Sequence, residues 1–166
     1  MRIVNLENAI EISTANFSRC QQYRYLLTRS WDQTLPHVLF IGLNPSTADA
    51  KNNDPTLVRC MGFARDWGFG GVRIANLFAY RTTWPTELKR AGEPIGPQNN
   101  RWLRREAKAA ALVIVAWGND GKLLLRASQV LPLLPAPHCL AINQSGEPAH
   151  PLYQPASTRP SPYTQR

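Results

Sequence analysis

A chain of 166 residues, 43% hydrophobic and 18% charged, is long enough for one domain with a real core and short for two. No apolar run approaches the ~20 residues of a membrane-spanning helix, and the opening "MRIVNLENAIEIS" lacks the basic-then-apolar layout of a secretion signal, so the cytoplasm is expected and a membrane partner is not. Nineteen Lys+Arg against eleven Asp+Glu give a net charge of +8, which invites a polyanion such as nucleic acid and is equally the charge of a solvated surface. Cys20, Cys60 and Cys139 are odd in number and far apart, with no CxxC pair. That spacing argues for free thiols and against a disulfide framework or a closed metal or iron–sulfur site, so no metal or cofactor is expected.

In chain order, Cys20 to Asp32 ("CQQYRYLLTRSWD") reads as one or two extended segments on a sheet edge, because Tyr23, Tyr25 and Leu27 alternate with other residues. "HVLFIGL" is a buried strand that runs into the polar loop "NPSTADAKNNDPT". A helix should then begin at Asp54, with Asp as N-cap, Pro55 at the first helical position, an apolar stripe through Leu57, Val58, Met61 and Ala64, and "WGFGG" as its stop. Val72 to Tyr80 is a second buried strand and a long proline-bearing connection follows it. "QNNRWLRREAKAAA" reads as a helix whose Arg101, Arg104 and Arg105 suit either phosphate or water, and Leu112 to Gly118 is a third strand. "GKLLLRASQVLPLL" predicts another helix, and His138 to Gln144 a short fourth strand. Alternating strands and helices predict an α/β fold, a three-layer sandwich around a central, mostly parallel sheet of about four strands. Residues 1–153 would form this single domain. The tail 154–166 carries too many prolines to join the sheet and is expected to be extended or frayed.

In open parallel sheets ligands bind beyond the carboxyl ends of the strands. Asn44 follows the first buried strand, Asn76 lies near the end of the second, Asn119 follows the third and His150 the fourth. Each asparagine alone is explained by a turn or a helix cap. Four polar residues at one rim point to a site.

"FIGLNPSTAD", "DPTLVRC", "NLFAYRTT", "EPIGPQNN", "AWGNDG" and "GEPAHPLY" closely resemble the bacterial and phage group called domain of unknown function 1643, over roughly residues 19 to 153. That name brings no activity with it. A more distant resemblance is to the uracil-DNA glycosylase superfamily, carried by Gly42-Leu43-Asn44-Pro45-Ser46, by Asn76 to Arg81, by Ala116-Trp117-Gly118 and by His150-Pro151-Leu152-Tyr153. It implies a glycosylase-like fold and a hydrolase acting on an N-glycosidic bond of a nucleobase, in DNA or in a free nucleoside or nucleotide.

Under that resemblance Asn44 orients the attacking water, since an amide is a poor base but a good positioning group. His150 hydrogen-bonds the charge developing on the departing base. Asn76, able to donate and accept together, reads the edge of the base, while Leu152 wedges into the base stack. Gly42, Pro45 and Ser46 form the turn around the substrate, and Trp117, Phe78 or Tyr80 would have to replace the stacking aromatic that glycosylases place just after the Asn44 position. An aspartate at 44 would keep the shape and add a charge. Ser46 stands where that superfamily has a small glycine, and Asp49 and Asp54 are carboxylates the resemblance does not explain. Asp54 is read most simply as a helix cap, and both are candidates for water activation in a hydrolase of another kind. Arg24, Arg29 and Arg81 are candidates for phosphate binding. Two alternatives stand beside the glycosylase: a non-catalytic nucleic-acid-binding protein on the same fold, favoured by the arginine surplus, and a small-molecule hydrolase using Asp49 or Asp54.

Overall fold

The computed structural model describes residues 9–165. Seven strands form one mixed sheet: β1 (Ile12–Phe17), β2 (Arg24–Ser30), β3 (His37–Gly42), β4 (Gly71–Asn76), β5 (Leu112–Val115), β6 (Pro137–Cys139) and β7 (Ser161–Pro162), in the order β1-β2-β4-β3-β5-β6-β7. The expected sheet of about four strands is its centre: β4, β3, β5 and β6 are mutually parallel. Antiparallel strands extend it on both sides, so the sheet is larger and more mixed than its hydrophobic runs suggest.

Alternation along the central strands builds the layers. Val38 and Phe40 of β3 pack with Leu57, Cys60 and Phe63 of α1 (Pro55–Asp66) on one face. Leu39 and Ile41 face the other way, toward Leu103 of α2 (Asn99–Ala109) and Val130 of α3 (Arg126–Val130). A strand buried on both faces must be apolar at every position, which is why "VLFI" shows no period-two pattern. Helix α1 begins as expected: Asp54 Oδ1 accepts the Leu57 N–H at 2.8 Å, and Gly68 takes the left-handed φ of +85° that lets the chain leave the helix. Val58, placed in the apolar stripe from sequence, is instead solvent-exposed, and Cys60 and Phe63 complete the buried face.

Three expectations are corrected. The segment Cys20 to Asp32 holds the internal strand β2, covered by β1. β1 escapes hydrophobic pattern reading because four of its six residues, Ser13, Thr14, Ala15 and Asn16, are small or polar. The long helix of "GKLLLRASQVLPLL" breaks into a 3₁₀ stretch (Asn119–Leu125), the five-residue α3 and a second 3₁₀ turn (Leu131–Leu133). Leu124 and Leu125 adopt left-handed φ values of 52° and 56°, Arg126 is drawn inward to the Leu77 carbonyl and Asn100 Oδ1, and Pro132 removes a helical donor. The proline-rich tail joins the sheet as the edge strand β7, where a missing N–H costs little. Its Tyr163 is buried and donates to the Gly146 carbonyl at 2.9 Å. Among the described residues no helix is long and apolar enough to cross a membrane, and no group of three or more His, Cys, Asp or Glu side chains is placed to hold a metal ion. Cys20, Cys60 and Cys139 are free thiols.

Candidate functional site

Strand register decides which residues meet. β3 and β4 run parallel with Gly42 opposite Asn76 at their carboxyl ends, and Ala116 N–H donates to the Ile41 carbonyl just past β5. β2 is antiparallel to β4, so its first residue, Arg24, reaches the same rim and its N–H bonds the Ala79 carbonyl. A cavity of about 220 Å³ opens there, lined among others by Arg24, Gly42, Asn44, Ser46, Asp54, Asn76, Thr82, Ala116 and His150. That is below the roughly 300–1,000 Å³ of drug-sized ligand sites and suits a compact ligand.

Asn44 is pinned from behind. Its Nδ2 donates to the Thr82 carbonyl at 2.7 Å and to the Pro45 carbonyl at 3.1 Å. Only an N–H₂ group can face two carbonyl oxygens, so the amide orientation is set and Oδ1 is left as a free acceptor on a residue that lines the cavity. Asn76, 4% exposed, lies close under Gly42: a Cβ at residue 42 would stand 3.0 Å from Asn76 Nδ2, so glycine there makes room for the amide. Asn99 holds this strand end by donating to the carbonyls of Asn76 and Leu77.

His150 caps the 3₁₀ turn Pro151–Tyr153, its Nδ1 accepting the Leu152 N–H at 3.2 Å. That bond leaves the ring proton of the neutral imidazole on Nε2. Burial holds the His150 pKa below its ordinary value, with Asp54 partly opposing. The neutral, Nε2–H form is therefore the one the fold prefers near pH 7. Asp54 is the one carboxylate among the lining residues, and only its Oδ1 is used by the helix cap.

Other sequence candidates lie elsewhere. Trp117 is buried in the core, its Nε1 donating to Glu147 at 2.7 Å, and it does not line the cavity. Glycine at 121 is required by that packing, since a Cβ there would overlap the indole. Pro45 is buried beneath the turn. Leu152 faces a neighbouring groove with Val58 and Asp54. The Asp49 carboxylate closes its own loop by accepting from the backbone N–H groups of Lys51 and Asn52. Arg29 ties that loop down through Asp49 O, Asn52 O and Asn53 Oδ1. Arg81 lies over the Phe17 ring, 4.5 Å from its centroid, and donates to the Gln21 carbonyl. Asn119 bonds Asn143 and Ser145. Thr56, Thr82 and Thr83 line the cavity without having been singled out; lone threonines in loops carry no signal of that in sequence.

A family model described as a protein of unknown function, DUF1643, matches residues 24–152, well over half of the chain. The chain belongs to this family. The family's span opens at Arg24 and closes at Leu152, so it holds every residue lining the cavity and strands β2 to β6, leaving out the edge strands β1 and β7. No curated protein and no solved structure matches the chain.

Proposed function

We propose that the cavity hydrolyses an N-glycosidic bond of a nucleobase-bearing ligand. The observation that carries this is the pairing, in one cavity, of an acceptor pinned in place, Asn44 Oδ1, with a donor set in one tautomer, His150 Nε2–H. The reaction needs a water held beneath the sugar carbon and a donor for charge growing on the base. Asn44 holds the first, and neutral His150 supplies the second without the cost of burying a cation. Asp54 stands ready to take the proton the water loses, and Asn76 reads the base edge. The motif resemblance to the uracil-DNA glycosylase superfamily supports the same assignment.

The test is base release from oligonucleotides carrying uracil, hypoxanthine or alkylated bases, and from free nucleosides and nucleotides. Asn44→Ala and Asp54→Asn should fold normally and lose ~10²-fold or more in rate, and His150→Ala should slow the same step. A wild type silent on all these substrates, or activity indifferent to Asn44→Ala, removes the proposal.

A second reading, nucleic-acid binding without chemistry, is favoured by exposed aromatic rings. Trp84 is 67% exposed between the lining residues Thr83 and Pro85, and Tyr153 is 83% exposed just past Pro151. Such rings suit stacking on unpaired bases.

A further inference from the structure

Three arginines of this fold are buried: Arg24, Arg29 and Arg126. Arg29 spends its donors on Thr28 O, Asn53 Oδ1, Asp49 O and Asn52 O, and Arg126 on Leu77 O, Asn100 Oδ1 and Gln129 Oε1. Arg24 differs. Of its five N–H donors, one reaches the Ala48 carbonyl at 2.9 Å and one makes a contact of 3.5 Å, at the limit of a hydrogen bond, with Asn76 Oδ1. Among the described residues its Nε has no hydrogen-bond partner. Among the described residues the ion pairs are Arg73–Glu106 and Arg105–Glu106, so no carboxylate lies within salt-bridge distance of a guanidinium that is 3% exposed. A buried cation without an ion-pair partner is a costly feature, and burial pushes the Arg24 pKa down to about 10, with the more distant Asp54 and Asp49 carboxylates only partly opposing. This one lines the cavity that holds Asn44, Asn76 and His150.

We propose that the cavity takes a ligand bearing an anionic oxygen group, a carboxylate or a phosphate, and that Arg24 binds it. Among the residues lining the cavity, Arg24 and His150 are donors, while Asn44 and Asp54 offer acceptor oxygens. A matching ligand carries both an anionic oxygen group and N–H or O–H donors, as a nucleoside monophosphate or a carboxylated pyrimidine does. This deepens the reading of the site as one for nucleobase compounds by naming the ligand's charge. It is measured by binding, without turnover, so absence of hydrolysis leaves it standing.

Calorimetric titration with matched pairs tests it: uridine against uridine 5′-monophosphate, uracil against orotate, and inorganic phosphate alone, at constant ionic strength. The wild type should bind at least one charged member about tenfold or more tightly than its neutral partner, the effect of a hydrogen bond to a charged group. The preferred pair tells phosphate from carboxylate. Arg24→Met removes the charge at similar length; it should lose the preference and keep or raise Tm, whereas an arginine needed only to brace Ala48 would lower Tm and leave the preference intact. Arg24→Lys should restore part of the preference. If Arg24→Met fails to fold, the wild-type comparison and Arg24→Lys still decide. Equal affinity for charged and neutral members, no binding of any member, or a preference that survives loss of the guanidinium overturns the proposal.

Discussion

Asn44 shows how a single amide is turned into a directed acceptor. Because Nδ2 faces the carbonyls of Thr82 and Pro45, Asn44→Asp would set a carboxylate oxygen against two carbonyl oxygens. The simple expectation that aspartate keeps the shape and adds a useful charge is thereby reversed: this variant should lower Tm and be no more active than Asn44→Ala, read by thermal melts and base release. His150 has a pH signature. Burial depresses its pKa and that of His37, so the unfolded chain takes up these protons first. The stability they contribute is full above about pH 6.5 and is lost as pH falls through and below that value. Urea unfolding at pH 8 and pH 5 should show the drop, reduced in His150→Gln. Protonation of Nδ1 also ends its bond with the Leu152 N–H, so activity should fall on the same acid limb.

The element that brings most to the cavity is the N-terminus of α1. Asp54 both caps the helix and lines the site, and the two roles separate by substitution. Asparagine caps a helix nearly as well as aspartate, whereas alanine does not. Asp54→Ala should cost about 1 kcal/mol in chemical denaturation, and Asp54→Asn much less, while both remove the carboxylate from the chemistry. At the ends of β3 and β4, a methyl at residue 42 meets Asn76 Nδ2 at 3.0 Å. Gly42→Ala should therefore displace the amide and weaken ligand binding with little change in Tm. Equal ligand affinity in Gly42→Ala would show that Asn76 does not touch the ligand.

Across the whole molecule, the C-terminal segment straps the two faces together. The indole of Trp67, the residue that ends α1, donates to Thr158 O at 3.1 Å, and Tyr163 packs edge-on to Trp117 while β7 closes the β6 edge. Tyr163→Ala should cost roughly 3–5 kcal/mol, the range for emptying a large aromatic site, and removal of residues 156–166 should cost at least as much. A truncated chain as stable as the full one would return the tail to the frayed state its prolines suggest. The charge of +8 also needs reapportioning, because Arg24, Arg29 and Arg126 are inside. Single-stranded DNA binding, if carried by the surface, should weaken with salt and with Trp84→Ala or Tyr153→Ala in gel-shift titrations. Binding absent at low salt ends the second reading.

The central strands were legible from sequence because burial on both faces demands continuous apolar residues, as in "VLFI" and "LVIV", and α1 was legible because Asp54, Pro55 and Gly68 are local signals with local causes. Asn44 and Asn76 could be placed at one rim for the same reason: parallel strands send their carboxyl ends to one side, whereas Asn119, expected with them, bonds Asn143 and Ser145 and does not line the cavity, and His150 reaches it from a loop well past the end of β6. What lay beyond reach depends on non-local partners. β1 and β7 exist as strands only because a neighbour offers its edge, and polar or proline-bearing residues do not announce that. The break at Leu124 and Leu125 follows from Arg126 being drawn to the Leu77 carbonyl, a bond across 49 positions. Trp117 follows a strand into the core, held by Glu147. Arg24 is set beside Asn76 because β2 runs antiparallel to β4, and strand direction is decided by sheet pairing, which no stretch of sequence read alone contains.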